Sequence, residues 1–317
     1  MRSLLLFCAL FSHSLQPLYG DEVQTEIAAY KVILVTGASR GIGLETAKNL
    51  ASQGHHVYAS MRSPKSFLTD ECLPSLYLLE LDVTDDLSIS KAFEIIREKE
   101  GRLDVLVNNA GCAVFGPLEM VTVDQAKKTF EVNFFGTMRL MQAALPLMRE
   151  QGKGLIINLS STSGIRPSPG WDLYGASKFA VEGLSEAVAA MSRQWNIDVV
   201  VIEPGTTSTE FMQQSTEIGS RQTDTSCVYN DFMRNALKWM KERLAEGQSP
   251  AEVANVISGV IANEHHHLRY QTSEKGMQTV AKRHCDPTGE ASIQEQQTLI
   301  KQLWQGPLNS QTGSSYR

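Results

Sequence analysis

The sequence predicts an α/β fold built as a single doubly wound parallel sheet with helices on both faces. Two observations carry this. Short β-rich apolar runs alternate with helix-period segments from Lys31 to Ile202, the pattern that gives parallel strands joined by covering helices. The first run, Lys31-Val-Ile-Leu-Val-Thr36, passes directly into a glycine-rich turn and then into a helical pattern. In such sheets ligands bind beyond the carboxyl ends of the strands. The residues at those ends are therefore the candidates for chemistry.

Taken in order, the first strand leads into Gly37-Ala-Ser39-Arg40-Gly41-Ile42-Gly43, and the helix follows through Leu44, Ala47, Leu50 and Ala51. Glycines allow a tight turn and close backbone approach, and the helix amino terminus favours phosphate. The spacing is Gly-x-x-x-Gly-x-Gly, and a glycine-rich turn alone is often only a turn. The second strand, His56 to Ser60, ends in Met61-Arg62-Ser63. A site for NAD places an acid about twenty residues past the glycines, and none stands there. Arg62 and Arg40 instead offer two cations for a 2′-phosphate, which predicts NADP(H).

A third strand, Leu76 to Leu81, leads to Asp82-Val83, and a helix runs from Ser88 to Lys99. The strand Asp104 to Val107 enters Asn108-Asn109-Ala110-Gly111, whose small and amide residues let a flat ring lie close. Helical periodicity from about Thr122 to Arg149 contains the polar Asn133, which satisfies a core hydrogen bond or holds a water relay. The buried run Leu155 to Leu159 delivers Ser160 and Ser161. Beyond a Gly/Pro loop, a helix from Trp171 to about Met191 carries Tyr174 and Lys178 on one face. An ammonium beside a phenol favours its anion, so the Tyr174 pKa is expected to fall from ~10. A Tyr-x-x-x-Lys pair alone is common on surface helices; the upstream motifs give it weight. The last strand, Asp198 to Ile202, runs into Glu203-Pro204-Gly205.

These residues together resemble the short-chain dehydrogenases/reductases over about residues 30–210, with similarity extending to the 17β-hydroxysteroid (estradiol type) and retinol dehydrogenase branch through Ser249 to Ala254, Leu268 to Tyr270 and Asp286 to Gly289. The resemblance implies a Rossmann-like domain. It implies Tyr174 as acid/base, Ser161 polarising the substrate oxygen, Lys178 on the nicotinamide ribose and Asn133 completing a proton relay. Gly37, Ser39, Arg40, Ile42, Gly43, Arg62, Asp82, Val83, Asn109, Ala110, Gly111, Pro204 and Gly205 would contact the cofactor, with Tyr174 and Lys178. The activity implied is NADP(H)-dependent interconversion of a lipophilic alcohol and its carbonyl. A non-catalytic dinucleotide-binding regulator on the same fold is the rival, but it would not need Ser161, Tyr174, Lys178 and Asn133.

Composition fits one large domain. The chain has 317 residues, 42 % apolar and 20 % charged, with a net charge of −6 and no basic stripe, which argues against a nucleic-acid partner. Residues 1–20 combine Arg2, the apolar run Leu4 to Phe11 and Gly20, the pattern of a secretory signal peptide. The product would be secreted, periplasmic or lumenal if the leader is cleaved, and cytoplasmic otherwise. The dehydrogenase domain is expected over 21–282, with substrate-side helices within 211–262 and a partly disordered extension over 283–317. Phe211, Met212, Phe232, Met233, Leu237, Trp239 and Met240 are the candidates for an apolar substrate wall. The alternative, the core face of one amphipathic helix, is favoured for Leu237 and Met240. Gln213 to Cys227 reads as a mobile loop. His265-His266-His267 lacks metal-ligand spacing, as do the scattered Cys72, Cys112, Cys227 and Cys285; no metal is expected. A homodimer or homotetramer is the expected assembly, with peripheral membrane contact an open option.

Overall fold

The computed structural model describes residues 30–64, 73–221 and 226–304. The expected leader (with its Cys8), Cys72, and residues 305–317 of the expected extension lie outside the described residues. Strands β1 (Val32–Val35), β2 (His56–Met61), β3 (Leu76–Glu80), β4 (Val105–Asn108), β6 (Gly154–Leu159), β7 (Ile197–Glu203) and β9 (Arg269–Gln271) form one parallel sheet in the order β3-β2-β1-β4-β6-β7-β9. β1 and β4 are buried at every residue, as strands covered on both faces must be. After β3 the chain crosses back to lay β4 on the other side of β1. This reversal opens a crevice at the carboxyl ends of β1 and β4.

Helices α1 (Gly41–Ser52) and α8 (Pro250–Ala262) cover one face of the sheet, where Ala47, Leu50, Ile257 and Ile261 meet Ile33 and Val57. α2 (Asp86–Glu100), α4 (Thr137–Gln151) and α5 (Asp172–Ser192) cover the other, with Phe93, Leu140 and Ala189 against Leu34 and Leu106. Local chemistry sets their ends. Asp85 caps α2 through the Leu87 amide and Gly101 closes it at φ 67°, and Ser249 with Glu252 forms a capping box ahead of Pro250. Between α3 (Val123–Phe130) and α4 the helix widens into a π segment, Glu131–Gly136, that contains Asn133.

A third apolar cluster lies beyond the carboxyl ends of the strands. Phe232, Met233 and Met240 of α7 (Asn230–Ala245) pack there with Phe115 and with Leu303 of α10 (Glu290–Leu303). The polar tail read from the sequence thus forms a helix over 290–303; its signal was the i, i+4 pair Leu299 and Leu303. Within the loop expected from Gln213 to Cys227, of which 222–225 lie outside the described residues, the segment up to Ile218 is structured. After the short helix α6 (Phe211–Gln214), β8 (Thr216–Ile218) pairs with β5 (Ala113–Phe115), a strand too short and polar to show a period. α9 (Glu274–Cys285) follows β9. The three histidines precede β9 in a loop. His266 bonds the Asp198 carboxylate at 2.9 Å and the Val260 carbonyl at 3.0 Å, so both ring nitrogens serve packing. No helix among the described residues is long and apolar enough to cross a membrane.

Candidate active site

The crevice opens into a cleft of about 1050 Å³. β1 supplies its first wall through the glycine turn. Gly37 has φ +64°, and a Cβ there would stand 2.8 Å from the Ala110 Cα; only glycine fits. Asn109 locks this turn, its amide donating to the carbonyls of Thr36 at 2.8 Å and Gly37 at 3.1 Å. Gly43 does not line the cleft. It serves packing, since a Cβ there would meet the Asn109 amide at 2.3 Å. The first turn of α1 has no side-chain cap and no acid, which leaves its amide groups open to an anion. Ser39, Arg40, Ile42, Arg62, Asp82, Val83, Ala110 and Gly111 all reach the wall. Arg40 is held by Ser215 at 3.0 Å, and Asp82 accepts from the amide and hydroxyl of Thr84 at 2.9 and 2.7 Å. An open helix terminus, a glycine cradle with no room for a Cβ and two arginines fit a phosphorylated dinucleotide.

β6 and α5 supply the polar corner. Ser161 begins the turn after β6, where its hydroxyl accepts from the Ser163 amide at 3.0 Å. Tyr174 stands on the first turn of α5, its ring between those of Trp171 at 5.4 Å and Phe211 at 5.9 Å. Lys178, only 6 % exposed, donates to the Leu159 carbonyl at 2.7 Å. The expected fall of the Tyr174 pKa is not what the structure gives. Burial pushes the phenol up to about 12, against a downward pull from its hydrogen bond with Ser161. Burial also brings Lys178 down to about 8, against upward pulls from Cys112 and Glu182. Helical spacing shows the neighbouring charge but not the depth of burial, and desolvation dominates at this depth.

Asn133 does not line the cleft. Its oxygen accepts from the Cys112 amide at 2.9 Å, and its nitrogen donates to the Cys112 carbonyl and the Ser177 hydroxyl at 2.9 Å each. Both amide protons are committed, so the side chain braces the segment after Gly111 and leaves nothing of its own to pass. Pro204 and Gly205 line the cleft where β7 ends, and the Thr162 amide donates to the Pro204 carbonyl at 3.0 Å.

The apolar lobe is built by Trp171, Phe211, Met212, Trp239, Met240 and Leu299. Four of the seven expected wall residues are therefore there. Phe232 and Met233 turn into the α7 core instead, and Leu237 faces solvent at 39 % exposure. Trp171 and Leu299 were not identified from sequence. Trp171 opens the helix that carries Tyr174 and Lys178, and Leu299 lies in the extension over 283–317; neither residue type nor spacing marks them for the cleft. Arg166 at the rim pairs with Glu295 of α10 at 2.8 Å. Among the described residues no cluster of three or more His, Cys, Asp or Glu is placed to hold a metal.

The family model for short chain dehydrogenases matches residues 31–218. The chain is 36 % identical to 3-ketodihydrosphingosine reductase of Bacteroides thetaiotaomicron over 74 % of this chain and 84 % of that one. It is 35 % identical to retinol dehydrogenase 8 of Bos taurus (86 % and 91 % covered). It is 38 % identical to 17-beta-hydroxysteroid dehydrogenase type 1 of Homo sapiens (82 % and 83 % covered). Among solved structures, a short-chain dehydrogenase from Streptomyces avermitilis superposes with a TM-score of 0.73 at 29 % identity, over 87 % of this chain and 98 % of that one. ElxO with NADP bound gives 0.62 at 26 % identity, over 79 % and 100 %. The family match over 31–218 and these relatives together show that this chain belongs to the short-chain dehydrogenase family of oxidoreductases.

Proposed function

We propose that the protein interconverts a bulky lipophilic alcohol and its carbonyl with NADP(H), and that Tyr174 transfers the proton. The observation that carries this is the meeting of one polar corner, Ser161, Tyr174 and Lys178, with an apolar lobe of aromatic and thioether side chains in a single cleft. The bound nicotinamide supplies or accepts the hydride. In reduction, Ser161 and Tyr174 hydrogen-bond the carbonyl oxygen, and Tyr174 donates its proton to that oxygen as it becomes a hydroxyl. A phenol held up to about 12 is protonated at neutral pH, which favours the donor role. The buried ammonium of Lys178 then stabilises the phenolate left behind. Asn133 braces the segment after Gly111, and Pro204 and Gly205 would cover a bound nicotinamide.

NADP(H) is favoured by Arg40 and Arg62 and by the missing acid after β2, and the ElxO relative was solved with NADP bound. The relatives named for retinol, 17-beta-hydroxysteroids and 3-ketodihydrosphingosine suggest a lipid-sized substrate. The test is oxidation of NADPH against a panel of steroid ketones, retinal, a long-chain ketone and short aldehydes, with lower KM expected for the bulky members. Equal activity on a sugar or a short aldehyde would contradict the reading. We further propose that residues 1–20 are removed on export, which amino-terminal sequencing of the mature protein decides, and that the chain assembles as a homodimer or homotetramer, which light scattering reads.

A further inference from the structure

An array of charges, buried at Glu182 and Glu203 and open to solvent at Glu186, lies behind the catalytic corner. Arg269, on the edge strand β9, places its Nε 2.9 Å from the Glu182 carboxylate and 3.5 Å from that of Glu203, while its Nη2 is 2.7 Å from Glu186. Glu182 is 4 % exposed and Glu203 fully buried. Gln271 donates to the second oxygen of Glu203 at 2.8 Å. One oxygen each of Glu182 and Glu203, and the Ser160 hydroxyl, lack a well-formed hydrogen bond among the described residues. Burial raises the Glu182 pKa, and the Ser160 hydroxyl and the Arg269 guanidinium pull it back down.

Stability gives no account of this array. Three carboxylates face one guanidinium, and buried ion pairs seldom stabilise more than an apolar filling of the same shape. Position offers a better one. Glu182 follows Lys178 by one turn of α5, so the two share a face. Glu203 is the last residue of β7 and directly precedes Pro204. Ser160 directly precedes Ser161, and the Leu159 carbonyl before it holds Lys178. The Thr162 amide closes the ring onto the Pro204 carbonyl at 3.0 Å.

We propose that Arg269 is a positioning residue for the reaction: through Glu182 and Glu203 it fixes the α5 turn bearing Lys178 against the β7 end bearing Pro204 and Gly205. The inference rests on the roles proposed for Lys178 and Pro204. Arginine suits the task because its planar fork engages several carboxylates at once, which a lysine cannot do.

Arg269→Met would strand two buried carboxylates and lower stability for that reason alone. The decisive variant is therefore Arg269→Met/Glu203→Gln, which removes one of those charges and keeps the side-chain shape. Its thermal midpoint should return towards wild type while kcat stays down by about tenfold or more, in the range that ångström-scale misplacement produces. NADPH affinity, measured by titration, should change little, because Arg40 and Arg62, which would hold the 2′-phosphate, are untouched. Hydrogen exchange should show faster exchange of the Thr162 amide in the double variant than in wild type. A double variant with wild-type kcat and an unchanged Thr162 amide would overturn the proposal, as would a kcat that tracks the thermal midpoint across both variants. Tyr174→Phe assayed alongside keeps the two readings apart. Full activity there removes the catalytic assignment, while the Thr162 exchange still reports on Arg269.

Discussion

Lys178 donates its hydrogen bond to the carbonyl oxygen of Leu159, at 2.7 Å, while its ammonium lies 5.8 Å from the centre of the Tyr174 ring. The lysine is thus anchored by the sheet and stands beside the phenol ring. Its charge is held in a buried setting that brings its pKa down to about 8. A cation of this kind is present below that pH and lost above it.

Reduction should therefore weaken as pH rises through about 8 in the free enzyme, when Lys178 loses its proton. Lys178→Arg keeps its charge at every working pH. Its profile of kcat/KM, at a lower maximum, should lose that limb. A limb unchanged in Lys178→Arg would assign it to another group.

Arg62 should set the choice of cofactor. A charge-assisted contact to the 2′-phosphate contributes roughly 1.5–3 kcal/mol. Arg62→Asp should then shift the ratio of kcat/KM for NADPH over NADH towards NADH by about tenfold or more. Equal use of both cofactors by the wild-type protein would contradict the role.

Gly37→Ala tests the cradle. The new methyl would stand 2.8 Å from the Ala110 Cα on a backbone at φ +64°. The left-handed strain alone costs about 1–2 kcal/mol, and the contact adds to it. The thermal midpoint should drop and NADPH binding should weaken together; an unchanged midpoint would contradict the packing described.

Much of this site was legible because its chemistry sits at strand ends. Gly37, Arg62, Asp82, Asn109, Ser161 and Pro204 each follow an apolar run whose length and β-branching mark a buried strand, and all six reach the cleft. What stayed hidden depended on contacts made across the sheet. Arg269 lies on a three-residue edge strand with no period to detect, and its partners Glu182 and Glu203 read as ordinary helix and strand acids. Gly43 and Asn133 carried the right residue types, but only the distances to Asn109, Cys112 and Ser177 distinguish bracing from contact with a ligand. The sign of the Tyr174 shift followed the same rule, since spacing displays a neighbouring charge and hides the depth of burial. Leu237 and Phe232 share one helix, and only the fold shows which of them faces inward.

Phe211→Ala probes the apolar lobe. Phe211 borders the Tyr174 ring at 5.9 Å, and its contact with a lipophilic substrate would be the same in ground and transition states. KM for a steroid or retinoid carbonyl should rise more than kcat falls. A loss confined to kcat would place Phe211 in the chemistry rather than in the wall.

The central claim is that Tyr174 carries the proton, and the most direct measurement is the turnover of Tyr174→Phe with NADPH and a bulky ketone. The substitution removes one hydroxyl and leaves the ring packed between Trp171 and Phe211. The account predicts that kcat falls by about 10²-fold or more, the scale of general acid–base catalysis, with NADPH affinity little changed. Turnover close to wild type in that variant would contradict it.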